Sequence, residues 1–299
     1  MQDNKYFSEK ITYLTPFDKA FPEKLKDIPN PPAGIYVKGQ LPDPNIPSVA
    51  IIGSRMASAY GISMARYFSS HLSGAGVQII SGMAKGVDGV GQKTAIEMGN
   101  PTFGVLGCGL NEIYPKENRD IFESILKNGG LISEYPPDTK PLAKLFPLRN
   151  RLISGLADII LVVEAGEHSG TSITVSRALE QGKDVFAVPG RITDPFSAGC
   201  NQLIRDGAGI ALSPEAILNA LGLPSESIAP PDCKKKLAGL HLAKLEKKVY
   251  ISLDLYPKSI ESILNQTGAA LAELYPALLR LKLLGLISET GQNNYYRNL

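Results

Sequence analysis

The chain has 299 residues, 43% hydrophobic and 20% charged, with 31 Lys and Arg against 29 Asp and Glu. That composition belongs to a globular protein and excludes a disordered one; the length suits two domains, or one large domain with an appendage. A net charge of +2 leaves room for a local basic face, and Cys108, Cys200 and Cys233 follow no metal-ligand spacing.

The first 30 residues carry many charges and no apolar leader core, and no apolar run approaches 18 residues. We read a reduced, cytoplasmic chain without a membrane span. Residues 1–47 form a proline-punctuated lead-in with room for a short helix and one strand, "GIYVKG", and must pack on something larger. From residue 48 onward, short apolar runs alternate with helical patterns: "SVAIIGS", "VQIISG", "TFGVLG", "GLISEY", "ADIILVVEA" and "DVFAVPG". Runs apolar throughout and closed by Gly, Ser or Pro are what a parallel sheet covered on both faces requires. The stretches between them, such as "ISMARYFSSHLSGAG" and "TSITVSRALEQG", place apolar residues three and four apart and end in glycine. Residues 48–222 therefore read as one doubly wound, mostly parallel α/β domain. Residues 223–238 have the composition of a linker. Residues 239–299 show three helical patterns and a hairpin signal, "GLISETGQNNYYRNL", the order of a small winged-helix module.

In such a sheet, ligands bind at the carboxyl ends of the strands. After the first parallel strand come Gly53, which permits close backbone approach, Ser54 with a hydroxyl, and Arg55 with a planar bidentate donor. The fifth run is followed by Ser169, Gly170 and Thr171 at the start of a helix, whose free amides and dipole favour an anion. "FPLRNRLISG" adds Phe146, Arg149, Asn150 and Arg151, read as a loop entering a helix anchored by Leu152 and Ile153, and Lys140 and Lys144 precede it. Each group alone has an ordinary explanation: Arg55 as a surface ion-pair partner, Ser-Gly-Thr as a helix cap, Phe146 as a plug under the following helix. Three loops converging on one sheet edge favour a binding cleft. Glu164 reads as a buried carboxylate held by amides or an arginine, Cys108 as a packed small residue, and only His168 of the three histidines falls beside the site. Residues 86–94, "GVDGVGQKT", come close to a P-loop, but Gln92 displaces the lysine, and no dinucleotide fingerprint follows the first strand. No cofactor, metal or catalytic residue is expected.

Six motifs in order, "VAIIGSRMASAYG", "SGMAKGVDGVGQKTAI", "FGVLGCGLNEIYPKEN", "FPLRNRLISGLAD", "VVEAGEHSGTSITVSRALEQGKDVFAVPG" and "SAGCNQLIRDGA", resemble the DprA/Smf family of DNA-processing proteins. The resemblance covers residues 13 to about 222 closely and the C-terminal module loosely. It implies an extended Rossmann-like fold that binds single-stranded DNA without sequence preference, forms a homodimer, and hands DNA to the recombinase RecA in natural transformation. It also implies that Arg55, Lys144, Phe146, Arg149, Asn150 and Arg151 contact DNA, the cations on phosphates and the ring on a base. The family's usual Ala-His after Gly-Ile-Asp is missing here, and with it any role of that histidine. In the last module, alanine stands where a helix cap belongs and Pro276 falls inside the presumed recognition helix, where a kink is expected. Seven basic against five acidic residues from Gly239 to the end are few for a duplex-binding helix, so this module reads as a protein-interaction or accessory element.

Two other functions compete. A nucleotide-binding or phosphoribohydrolase-like enzyme of the same superfamily requires Glu164 and Asp88 in the cleft with Arg55. A winged-helix regulator with a sensing domain requires tight, sequence-specific duplex binding. The apolar segments from Ile204 to Leu221 are the candidate dimer surface.

Overall fold

The computed structural model describes residues 10–167, 169–224, 242–253, 257–291 and 293–297. His168, His241, Cys233 and the linker from residue 225 onward fall outside them. The chain divides into two compact units, residues 1–229 and 230–299.

The first unit is built on a nine-stranded sheet. Its strands are β1 (Thr12–Leu14), β2 (Ile35–Gly39), β3 (Ser48–Gly53), β4 (Gln78–Ser81), β5 (Thr102–Leu106), β6 (Gly130–Ser133), β7 (Ile159–Glu164), β8 (Asp184–Ala187) and β9 (Gly209–Ile210), in the order β1-β2-β6-β5-β4-β3-β7-β8-β9. Every pairing from β6 across to β9 is parallel, while β1 and β2 are antiparallel additions on the β6 edge. The six apolar runs of the sequence are β3 to β8. In β3, Val49 and Ile51 join one core and Ala50 and Ile52 the other, because successive side chains point to opposite faces. Both faces are covered, which is why these runs do not alternate with polar residues.

One core is closed by α1 (Ala59–Gly74), α2 (Val87–Glu97) and α7 (Pro214–Ala220), the other by α4 (Leu145–Leu156), α5 (Thr171–Glu180) and α6 (Ala198–Arg205). A further helix, α3 (Arg119–Ile125), packs Ile121 and Phe122 over Leu106 and Leu131. The lead-in holds one strand more than the sequence predicts. Between β1 and β2 it buries Phe21, Leu25 and Ile28 against Leu152, Ile153 and Leu156 of α4.

From β3 the chain winds through β4, β5 and β6 in one direction, then returns to the other side of β3 with β7. The loops leaving β3 and β7 therefore part to opposite faces, into α1 and α5, and open a crevice at the carboxyl edge.

The second unit contains α8 (Lys244–Ser252), β10 (Lys258–Ser259), α9 (Ile260–Thr267), α10 (Leu271–Leu283), β11 (Ile287–Thr290) and β12 (Asn294–Arg297). Its strands pair antiparallel in the order β10-β12-β11. Val249, Ile263, Leu274, Leu278, Leu281 and Tyr295 form its own core. Pro276 does not end α10. It lies on the exposed side, where the carbonyl left without an N–H partner can take water. Ala270 offers no side-chain cap, but Glu273 accepts from its N–H at 3.4 Å.

Candidate functional site

A cleft of about 650 Å³ opens at the crevice between β3 and β7. Its first wall is the loop after β3. Gly53 is needed there, because a methyl group on it would come within 2.8 Å of the Glu164 carbonyl oxygen. The Ser54 N–H donates to that same carbonyl at 2.7 Å, carrying the β3–β7 pairing into the loop. Gly86, with φ of 75°, lies against the backbone of Ser54 and Arg55 and sets the course of the loop from behind. Arg55 is left exposed, with its guanidinium 5.7 Å from the centre of the Phe146 ring.

The second wall is α4, and here the sequence reading needs a correction. The helix starts at Leu145, so Phe146 to Arg151 are helical and not a loop before the helix. Pro147 is tolerated because the first helical N–H groups have no intrahelical acceptor to lose. Helical spacing then aligns Phe146, Arg149, Asn150 and Ile153 (i, i+3, i+4, i+7) along the cleft. Arg151 is turned away: it pairs with Glu134 through two bonds of 2.8 and 2.7 Å and donates to the Asn30 carbonyl at 2.8 Å. Lys144 is exposed at the cap of α4 and does not line the cleft, and Lys140 pairs with Glu112 at 2.7 Å. The third wall is the start of α5, where Ser169 donates to the Thr171 hydroxyl at 2.8 Å and accepts from its N–H at 3.2 Å. Gly53, Ser54, Arg55, Phe146, Arg149, Asn150, Ser169, Gly170 and Thr171 thus meet around one cavity.

Arg149 is the unusual member. Only 4% exposed, it donates through Nη1 to the carbonyls of Gly82, at 3.0 Å, and Val105, and through Nε to Asn150 at 3.3 Å. Burial lowers its pKa to about 10 against the attraction of Asp88, so the group stays a cation at neutral pH. Asp88, also buried, accepts from the Gly82 N–H at 3.1 Å, and burial pushes its carboxyl up against the pull of Arg149.

Phe146 is half-buried, with one side against the backbone of Gly107, and so does not plug the core. A second aromatic ring, that of Tyr114, is exposed and stands 5.3 Å from it at 32°. Tyr114 lines the cleft and escaped the sequence reading, although its loop leaves β5 at the same sheet edge.

The carboxylates required of an enzyme do not pair here. Asp88 lines the cleft with Arg55, but Glu164 is committed elsewhere: it accepts from the Ser58 N–H at 2.8 Å and from the Ser58 hydroxyl, at the cap of α1. It is held by an amide, as the sequence suggests, and among the described residues no arginine bonds to it. The P-loop-like stretch is the first half of α2. Gln92 is buried on Met83 N–H and the Phe103 carbonyl, and Lys93 pairs with Asp120 at 3.0 Å. Cys108 and Cys200 are buried thiols pushed up to about 11 and about 12, and no His, Cys, Asp and Glu cluster suited to a metal occurs among the described residues. No described helix is long and apolar enough to cross a membrane.

Fold and site define a class: a doubly wound, Rossmann-like α/β protein with a cationic, aromatic-walled cleft at its topological switch point. Residues 12–222 match the family described as DNA recombination-mediator protein A. The chain is 38% identical over 286 residues to Protein Smf of Escherichia coli, covering 92% of this chain and 75% of that protein. It is 39% identical over 220 residues to DNA processing protein DprA of Bacillus subtilis, covering 72% and 73%. Among solved structures, DprA of Streptococcus pneumoniae matches with a TM-score of 0.67 at 38% identity over 72% of this chain and 75% of that one. DprA of Helicobacter pylori, described by its single-stranded DNA binding mode, matches with a TM-score of 0.62 at 31% identity over 72% and 96%. The chain belongs to the DprA/Smf family of DNA-processing proteins.

Proposed function

We propose that the cleft binds single-stranded DNA without sequence preference and that the chain acts as a binding protein, not a catalyst. The observation that carries this reading is the cleft's composition: Arg55 and Arg149 beside the Phe146 and Tyr114 rings, with hydroxyls at the start of α5. Cations neutralise phosphates of any sequence, and an aromatic face stacks on any base. The Helicobacter pylori relative, described by its single-stranded DNA binding, supports the same substrate. In this reading Arg55 is the exposed phosphate contact, Arg149 a buried cation at the floor, and Lys144 a flanking contact beyond the cleft. Arg151 positions α4 through Glu134.

The family resemblance extends the proposal. The chain protects incoming single strands and loads RecA in natural transformation, in the cytoplasm, as a homodimer through the first unit. The second unit, with three helices and a hairpin, is a winged-helix accessory module. Titration of the whole protein with oligo-dT and with duplex of equal length, at several salt concentrations, tests the core of this reading. Tighter binding of the single strand, weakening as salt rises, is expected; equal affinities or no salt dependence contradict it.

A further inference from the structure

We propose that Asp88 is an electrostatic brake in the cleft: its carboxylate offsets the buried Arg149 cation, so that a bound strand meets one net positive charge, that of Arg55. This rests on the single-strand reading and adds to it a control on affinity. Among the described residues that line the cleft, the charged ones are Arg55, Arg149 and Asp88. A carboxylate in such a wall repels the very phosphates that the two arginines attract.

Geometry ties the acid to Arg149. Both side chains fasten Gly82, from opposite ends of the residue: Asp88 Oδ2 accepts from its N–H at 3.1 Å, and Arg149 Nη1 donates to its carbonyl at 3.0 Å. A methyl group on Gly82 would come within 2.8 Å of Asp88 Oδ2 and 3.0 Å of Arg149 Nη2, so the two charges flank one Cα with no side chain between them. They are 6% and 4% exposed, and salt screens so buried a pair poorly. Of the charges acting on Arg149, Asp88 attracts most strongly and Arg55 repels. Arg55 and Arg149 also stand 5.7 and 5.8 Å from the centre of the Phe146 ring, so the charge that Asp88 cancels belongs to the same surface as Arg55.

The bond to Gly82 does not require an acid, because an asparagine oxygen accepts from an N–H as well. What only a carboxylate supplies is charge. That charge is favoured by Arg149, by the Gly82 and Ala84 amides and by its place in the first turn of α2, where the helix dipole attracts an anion; burial opposes it. The same charge compensates the burial of Arg149. Removing it therefore has two effects of opposite sign: the fold loses the partner of a buried cation, and the cleft gains one positive charge. A residue that only supported the cleft would, when replaced, lower stability and binding together.

The test compares the whole protein with Asp88→Asn, titrating each with oligo-dT at neutral pH over several salt concentrations and unfolding each in urea. The variant should bind roughly three- to tenfold tighter, with a log–log salt slope steeper by about 0.7, while its urea midpoint falls. Unchanged or weaker binding by the folded variant overturns the brake and leaves the single-strand reading standing. Failure of the wild type to bind oligo-dT overturns both. Should Asp88→Asn not fold alone, combining it with Arg149→Gln replaces both charges by amides, and the salt slope should then match wild type; a slope lower by about 0.7 overturns the brake.

Discussion

Arg55 and Arg149 have the same side chain in one cleft and opposite surroundings. Arg55 is exposed, so Arg55→Ala should leave the fold intact and flatten the salt dependence of oligo-dT binding by about 0.7 in log–log slope, the loss of one phosphate contact. Circular dichroism and titration across salt measure both quantities. Arg149→Ala removes a donor from the buried carbonyls of Gly82 and Val105 and a partner from Asp88. Arg149→Ala should therefore weaken oligo-dT binding and also cost about 1–3 kcal/mol in unfolding free energy, read from urea denaturation. Phe146→Ala should weaken oligo-dT binding by about 1–3 kcal/mol with little change in salt slope, because a ring contributes stacking and no charge. Which arginine is buried was not legible. Arg149 and Arg151 are two positions apart, about 200° around a helix, and a start misplaced by a few residues conceals which side each faces.

Among the elements, the six central strands were legible because burial on both faces leaves unbroken apolar runs. β1 was not: three residues with two side chains exposed leave no periodic signal. The meeting of Tyr114 with Phe146 joins a loop to a helix 32 positions away, a contact that no local pattern encodes. The lead-in is pinned to the sheet where Lys24 pairs with Asp158 at 2.6 Å and Asp158 also accepts from the Ser48 N–H and hydroxyl. Burial alone would raise the Asp158 pKa, yet the Lys24 and Ser48 bonds outweigh it and hold its carboxyl below the usual range. A carboxylate depressed in the folded state stabilises above its unfolded pKa, near 4, and that contribution is lost as pH falls through the folded value. Thermal melts from pH 6 down to 2 should show Asp158→Asn less stable than wild type at the upper end, with the difference closing in acid. A constant difference across that range would contradict this role for Asp158.

At the scale of the whole molecule, every wall of the cleft belongs to the first unit. A fragment of residues 1–229 should fold and bind oligo-dT with the affinity and salt slope of the full chain, in the same titration. The second unit has its own core, and α10 exposes Leu271, Tyr275, Leu279 and Leu283 where a reader of duplex sequence would carry basic side chains. Its three helices and hairpin were legible from periodicity, whereas β10, only two residues long, was not; Pro276 lies inside α10 facing water, which leaves only one carbonyl to be solvated. In the proposed function, the cleft at the β3–β7 switch point holds the phosphates of a single strand. Its most direct test is the salt dependence of oligo-dT binding by wild type and by Arg55→Ala, side by side. Weaker binding and a slope reduced by about 0.7 are expected in the variant; unchanged affinity with an unchanged slope would contradict a phosphate contact in the cleft.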